Sequence, residues 1–283
     1  MRQINEISAE RDAMQTIVKL TGAFEGIASM HISQIKDQVQ NSEKFFGELW
    51  KIYRQLRVDE LFRFGRGHVT NPVIDKELLI LITSEGGLSG DIDEKLVNLA
   101  LSHYDQKRND IVVVGRHGAA RLTQARVAYV GSYRLPERDR NINVTPLALE
   151  VQKYRSSTVY YQTYISLTRQ DVKSIELSKA VTERGNNVTP GQEIISEENY
   201  IFEPSTYEVV DHLERSMMQI TLSEVILESK LAQYASRFHA MSSARDKSEE
   251  SFGELKMLYN RAQRHQKDER LKEIINGLRK VET

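Results

Sequence analysis

Residues 210–262 read VDHLERSMMQITLSEVILESKLAQYASRFHAMSSARDKSEESFGELKMLYNRA, with an apolar side chain recurring at alternating steps of three and four. The stripe runs Val210, Leu213, Met217, Ile220, Leu227, Leu231, Tyr234, Phe238, Met241, Phe252, Leu255, Tyr259 and Ala262, broken at Glu224, Arg245 and Ser248. Thirteen of its sixteen positions are apolar, where a chain that is 40% hydrophobic would place about six by chance. An apolar repeat every 3.5 residues is the mark of a coiled coil.

A matching stripe opens the chain. It passes through Ile4, Ile7, Met14, Val18, Ala28, Ile32, Ile35, Val39, Phe46, Leu49, Tyr53 and Leu56, with Arg11, Thr21, Glu25 and Ser42 in the same register. All five prolines lie between Pro72 and Pro204, so neither stripe contains a helix breaker. Helices of about 55 and 75 residues would be about 80 and 110 Å long. Neither stripe is broad enough to bury a helix on all sides. Each needs a partner, and the other end of the same chain is the nearest. A central domain that starts and ends at one place makes the pair antiparallel. The fold class expected is α/β: a long antiparallel two-helix coiled coil from the N- and C-termini with an inserted Rossmann-like α/β domain. The expected boundaries are 1–60 for the first helix, 75–182 for the insert and 204–283 for the second helix. Arg11, Glu25, Glu224 and Arg245 interrupt the stripes, and polar groups at such positions can set register. Gly22 and Gly26, each costing roughly 1 kcal/mol against alanine, suggest close approach by another group or a tolerated weakness.

Between the stripes the pattern changes. Leu78–Ser84 and Asp110–Gly115 are short apolar runs suited to buried strands. Helical segments are expected from Ser89 or Asp91, near Ala119, and from Val144-Thr145-Pro146, with Thr145 as cap. Val127–Val130 suggests a third strand. Thr158–Leu167 alternates, with Val159, Tyr161, Ile165 and Leu167 on one face, and reads as a half-buried strand paired with Val172–Leu177. Strand, helix, strand, helix, strand implies a parallel sheet with crossover helices. Glu183–Asn199 reads as a long surface loop.

Composition narrows the chemistry. A net charge of −1 gives no footprint for a nucleic-acid partner. With no cysteine there is no disulfide, thiolate metal site or cysteine nucleophile. The polar start, Arg2 to Asp12, is no secretory signal, and no apolar run approaches the ~20 residues of a membrane span. A soluble intracellular protein is expected. Ser84-Glu85-Gly86-Gly87-Leu88-Ser89-Gly90 occupies the place of a phosphate loop, but lacks the lysine and the spacing of one, and reads as a tight βα turn. Arg116-His117-Gly118 resembles the Arg-His-Gly of histidine phosphatases, without their second catalytic histidine. No histidine pair with a carboxylate has metal-ligand spacing. No catalytic, cofactor or metal residues are therefore expected.

Three segments together resemble the γ subunit, the central rotor shaft, of F-type rotary ATP synthases. Lys19-Leu20-Thr21-Gly22-Ala23-Phe24-Glu25-Gly26-Ile27-Ala28 is similar to the family's Lys-Ile-Thr-x-Ala-Met-x-Met-Val-Ala. Thr83 through Asp93 resembles Ser-x-x-x-Gly-Leu-x-Gly-x-x-Asn. Arg237-Phe238-His239-Ala240-Met241 and Tyr259-Asn260 are similar to Arg-Met-x-Ala-Met and Tyr-Asn-x-x-Arg. Tyr200–Pro204 fits Tyr-x-x-Glu-Pro, and Leu271–Gly277 the family's Glu-Leu-x-Glu-Ile-x-x-Gly end. Departures fall in the family's contact segments. Gly22 and Phe24 stand for a lysine and a methionine, Gln263-Arg264 for Arg-Gln, and Lys267-Asp268 for Ile-Thr.

The resemblance implies a rotor. In the family the helix pair stands inside a ring of three α and three β subunits. The insert lies against the ε subunit and the membrane c-ring, and ion-driven rotation forces the catalytic sites through successive conformations. By this resemblance the chain is a non-catalytic, peripheral subunit on the cytoplasmic face of the cell membrane. Its contacts with the α/β ring are expected at Lys19, Thr21, Phe24, Gln263, Arg264, Lys267, Asp268 and Glu269. A scaffolding coiled coil and an enzyme built on the insert are the alternatives.

Overall fold

The computed structural model describes residues 4–56, 74–135, 143–186, 201, 203 and 205–281. Its elements, in chain order, are α1 (Ile4–Leu56), β1 (Ile74–Ile82), α2 (Ile92–His103), β2 (Asn109–Val114), α3 (Arg116–Gln124) and β3 (Gly131–Tyr133). They continue with α4 (Thr145–Val151), β4 (Tyr154–Tyr164), β5 (Gln170–Glu176), α5 (Leu177–Asn186) and α6 (Thr206–Val281). The chain divides into two compact units, Met1–Ala28 with Phe238–Thr283, and Ser29–Arg237.

In the first unit the two ends of the chain pair as helices. Every stripe position of α1 from Ile4 to Ala28 is buried or half-buried, while Glu6, Asp12, Gln15 and Lys19 between them are exposed. The guanidinium of Arg11 lies 4.3 Å from the centre of the Tyr259 ring, and Arg245 forms an ion pair with Glu25. Numbers rise along one helix as they fall along the other, so the pair is antiparallel.

The second unit holds the sheet, ordered β3-β2-β1-β4-β5. The strands β3, β2, β1 and β4 are parallel, and β5 runs antiparallel to β4. Both faces are covered. Leu79, Leu81, Ile111, Val113 and Tyr160 pack on Leu96, Val97 and Ala100 of α2 and Leu122 of α3. Leu78, Ile80, Val112, Val159 and Tyr161 pack on α4 and on Leu222, Val225 and Ile226 of α6. Two-sided cover explains the unbroken apolar runs of β1 and β2. Elsewhere in this unit Trp50 and Tyr53 of α1 meet Val181 of α5 and Met217 and Ile220 of α6. His31 stacks on Tyr234 at 4.6 Å between ring centres.

Four local expectations need correction. The third strand begins at Gly131 rather than in 127–130: Arg126 takes φ 58° as α3 ends, and pairing with Val112 starts only at Gly131. The cap of α4 is Val144, one residue before Thr145, and Asn143 Oδ1 accepts the Thr145 N–H at 3.1 Å. β4 is not half-buried. Val159 through Thr163 are buried on both faces, because α2 packs on one side of the sheet and α6 on the other, while Ile165 and Leu167 beyond the strand are exposed. Glu183–Asn186, expected in a loop, close α5, and residues 187–199 of that loop lie outside the described residues. Tyr200, Phe202 and Pro204 of the resemblance lie outside them as well.

Candidate functional site: the helix tip and the buried polar joint

The expected contact residues all lie in the first unit, but the antiparallel register separates them into two groups. Lys19 and Phe24 are exposed on α1, at the level set by Glu25 opposite Arg245. Thr21 is half-buried, and its hydroxyl donates to the Ile17 and Val18 carbonyls. Gln263 is half-buried, and Arg264, Lys267, Asp268 and Glu269 are exposed on α6. Their level is that of Ile4 and Ile7, which border a groove of about 630 Å³ together with Leu255, Leu258, His265 and Glu269. His265 Nδ1 and a Glu269 carboxylate oxygen are 3.4 Å apart. About 16 residues separate the two groups along α1, a distance of about 25 Å.

The glycines of α1 do not mark a tight crossing. A β-carbon on Gly26 would meet nothing within 4 Å, and one on Gly22 would touch Arg245 Cδ at an ordinary 3.6 Å. Arg245 reaches past Gly22 to its carboxylate partner, so Gly22 gives room to a side chain rather than to a backbone.

The second unit contains a polar cluster that the sequence alone does not reveal. Asp93, in the first turn of α2, is 1% exposed. One carboxylate oxygen accepts from the Gln162 amide at 2.7 Å and from the Ser84 N–H at 3.3 Å. The other accepts from His117 Nδ1 at 2.7 Å and from the Ser84 hydroxyl. Four donors satisfy a buried carboxylate that would otherwise be costly. Gln162, at the C-terminal end of β4, turns its carbonyl to α6, accepting from the Ser229 hydroxyl and from Gln233 Nε2 at 3.2 Å. Asp93 can only accept, which fixes the amide nitrogen of Gln162 towards it and the oxygen towards α6.

The glycine turn belongs to the same joint. Ser236 Oγ donates to the Ser89 carbonyl at 2.7 Å. Arg237 donates to the Gly86 and Gly87 carbonyls, each at 3.3 Å, and to Ser89 Oγ at 3.1 Å. Burial lowers the pKa of the Arg237 guanidinium, and Tyr234 and Asp93 oppose that shift. The turn thus presents carbonyls to a cation of its own chain. His117, the middle of the Arg-His-Gly, is committed to Asp93. Gly115 caps its helix, and its φ of +99° brings the chain so close to the end of β1 that a β-carbon there would lie 2.2 Å from the Thr83 carbonyl oxygen.

At the opposite end of β4, Tyr154 donates to Asp110 at 3.2 Å, and Lys76 binds the same carboxylate at 2.7 Å. Burial, then the Asp110 charge, pushes the Tyr154 phenol up to about 12. Among the described residues no group of three or more His, Cys, Asp or Glu could hold a metal ion, and no helix is long and apolar enough to cross a membrane.

These features define a class: terminal helices that pair antiparallel in one unit and, in the other, a mixed α/β sheet to whose strand C-terminal ends the second helix is bonded. The family model described as ATP synthase matches residues 3–280, and the chain belongs to that family. Within it the relatives are gamma chains. It is 22% identical to the ATP synthase gamma chain of Mycoplasmoides gallisepticum over 301 aligned residues, covering 99% of this chain and 100% of that one. It is 23% identical to the gamma chain of Geobacter metallireducens over 297, covering 99% of each. Among solved structures, the rotor of the Euglena gracilis mitochondrial ATP synthase matches with a TM-score of 0.64 at 12% identity. That match covers 93% of this chain and 98% of the other. The central stalk and c-ring structure of the Tetrahymena thermophila mitochondrial ATP synthase matches at 0.57 and 18% identity, covering 80% and 99%. At these identities the structures speak to the fold.

Proposed function

We propose that this chain is the central-stalk rotor subunit of an F-type ATP synthase. It couples ion-driven rotation of a membrane ring to conformational change at catalytic sites on an α/β ring, for ATP synthesis or hydrolysis. The observation that carries the reading is the antiparallel pairing of the two chain ends around an α/β insert, in a chain whose full-length relatives are gamma chains. Its partners are then the α and β subunits, the ε subunit and the c-ring. The chain contributes no catalytic residue, and it reaches the cytoplasmic face of the membrane only through the complex. The glycine turn favours this over an enzyme built on the insert, since its carbonyls are engaged by Arg237.

The coupling contacts are assigned to Lys19, Thr21, Phe24, Gln263, Arg264, Lys267, Asp268 and Glu269. Exposed charge at 264–269, beyond the apolar stripe, suits a surface that moves past a partner. The test is co-expression with α and β subunits, size exclusion and an ATPase assay. A complex with rotating, ATP-driven activity is expected. Failure to associate with either subunit refutes the reading. In the assembled complex, Arg264→Ala with Glu269→Ala should lower torque at normal assembly. Unchanged ATPase rate and torque would remove these side chains from the coupling.

A further inference from the structure

We propose that Asp93, Gln162, Ser229 and Gln233 are positioning residues that lock α6 in register on the sheet, so that torque received by the insert enters the helix without slip. The proposal rests on the rotor reading.

Two kinds of contact hold α6 to the sheet. Leu222, Val225 and Ile226 pack on an apolar strand face. Burial of that kind is non-directional, and packed helices can ratchet past one another by a turn of about 5.4 Å. Hydrogen bonds behave differently, because they weaken steeply with misalignment. Three turns of α6 carry them on one face: Ser229 and Gln233 to Gln162, then Ser236 and Arg237 to the glycine turn. Asp93, Gln162, Ser229 and Gln233 are all at most 5% exposed. A slip of an ångström or two would leave several buried polar groups without partners.

The location strengthens the argument. β1 has β2 on one side and β4 on the other, and the chain reverses its direction of sheet growth there. In open α/β sheets the crevice at the carboxyl ends of such strands holds a ligand. Here the polar groups at those ends, Ser84 beyond β1 and Gln162 on β4, converge on Asp93, and Gln162 continues to α6. The helix fills the role a ligand has in related sheets. Stability alone does not call for this chemistry, since buried charged and polar clusters are often replaced by apolar residues without loss.

The experiment uses the full chain assembled with α and β subunits, and reads stall torque from a probe on the insert. Wild type tests the rotor reading itself: if it forms no rotating complex, that reading fails, independently of the joint. Given rotation, Gln162→Leu/Ser229→Ala/Gln233→Leu should assemble, melt within a few degrees of wild type and hydrolyse ATP without load at a rate within about twofold. Its stall torque should fall at least twofold. Where the triple variant does not assemble, Gln233→Leu alone supplies the second measurement, since it removes the bond of one turn of α6 to Gln162 and leaves the Ser229 bond in place. Its stall torque should fall by a smaller but measurable amount. Equal torque in wild type and in whichever of these variants assembles overturns the proposal.

Discussion

Gly115→Ala should unfold the sheet-bearing unit, although it adds one methyl group. Gly115 stands between β2 and α3 with φ +99° and ψ 144°, a region open essentially to glycine, and a side chain there costs about 1–3 kcal/mol. The new methyl would lie 2.2 Å from the Thr83 carbonyl oxygen, against the 3.4 Å of ordinary contact, so the strands must part by about 1 Å. The Gly115 N–H bonds the Tyr133 carbonyl at 2.8 Å, and the Thr83 N–H bonds the Val114 carbonyl at 2.8 Å. Such a shift breaks both, at about 1–3 kcal/mol each once buried and unpaired. The total, about 3–9 kcal/mol, is a large share of the 5–15 kcal/mol typical of a domain. Trp50, the single tryptophan, is buried in the same unit, so its fluorescence in a urea melt reports the loss. Gly87→Ala is the control: nothing lies within 4 Å of its β-carbon, and less than about 1 kcal/mol is expected. A Gly115→Ala melt within about 1 kcal/mol of wild type would refute the close approach of β1 and α3.

Gly26→Ala should stabilise the helix pair by about 0.5–1 kcal/mol in thermal melts, since the position is helical and open; destabilisation would reveal a close neighbour there. A double-mutant cycle on Glu25→Ala and Arg245→Ala should give a coupling energy of about 1 kcal/mol, reduced by salt because Arg245 is partly exposed, and a coupling near zero would deny the pair a role in register. The Tyr154 phenol titrates near 10 unfolded and about 12 folded, so between those values the folded chain holds the proton that the unfolded chain has lost. Its contribution is complete below pH 10 and disappears as pH rises to about 12. Tyr154→Phe should flatten that alkaline loss of stability, and an unchanged slope would assign it to other groups.

The parts of the fold that can be read from sequence are those where one requirement dominates. The stripes announce α1 and α6 because a two-helix seam selects one apolar position in every half-heptad. The apolar runs at 78–82 and 111–114 announce β1 and β2 because both faces of the sheet are covered. β4 misleads for the same reason seen from the other side. Gln162 and Thr163 are polar, so the run looks half-exposed, yet both are buried because the residues that satisfy them come from α2 and α6. No local pattern encodes that rule. The one available signal was Gln162 following three apolar residues, Val159 to Tyr161, where a solvent-facing position would have broken the run earlier.

The partners of the glycine turn bear on what that turn is able to bind. Phosphate binding at a βα turn needs free N–H groups, a cation and an open crevice. This chain has the turn and, in Arg237, the cation. It places the cation on α6, however, and aims it at carbonyls, while Ser84, Asp93 and Gln162 close the hydrogen-bond circuit behind it. Ser84, Asp93 and Gln162 are engaged with one another, and Gln162 with α6, so in the proposed rotor this crevice serves as a mechanical attachment. The substitutions that would free its polar groups, at Ser229, Gln233 and Arg237, are those expected to loosen α6 from the sheet.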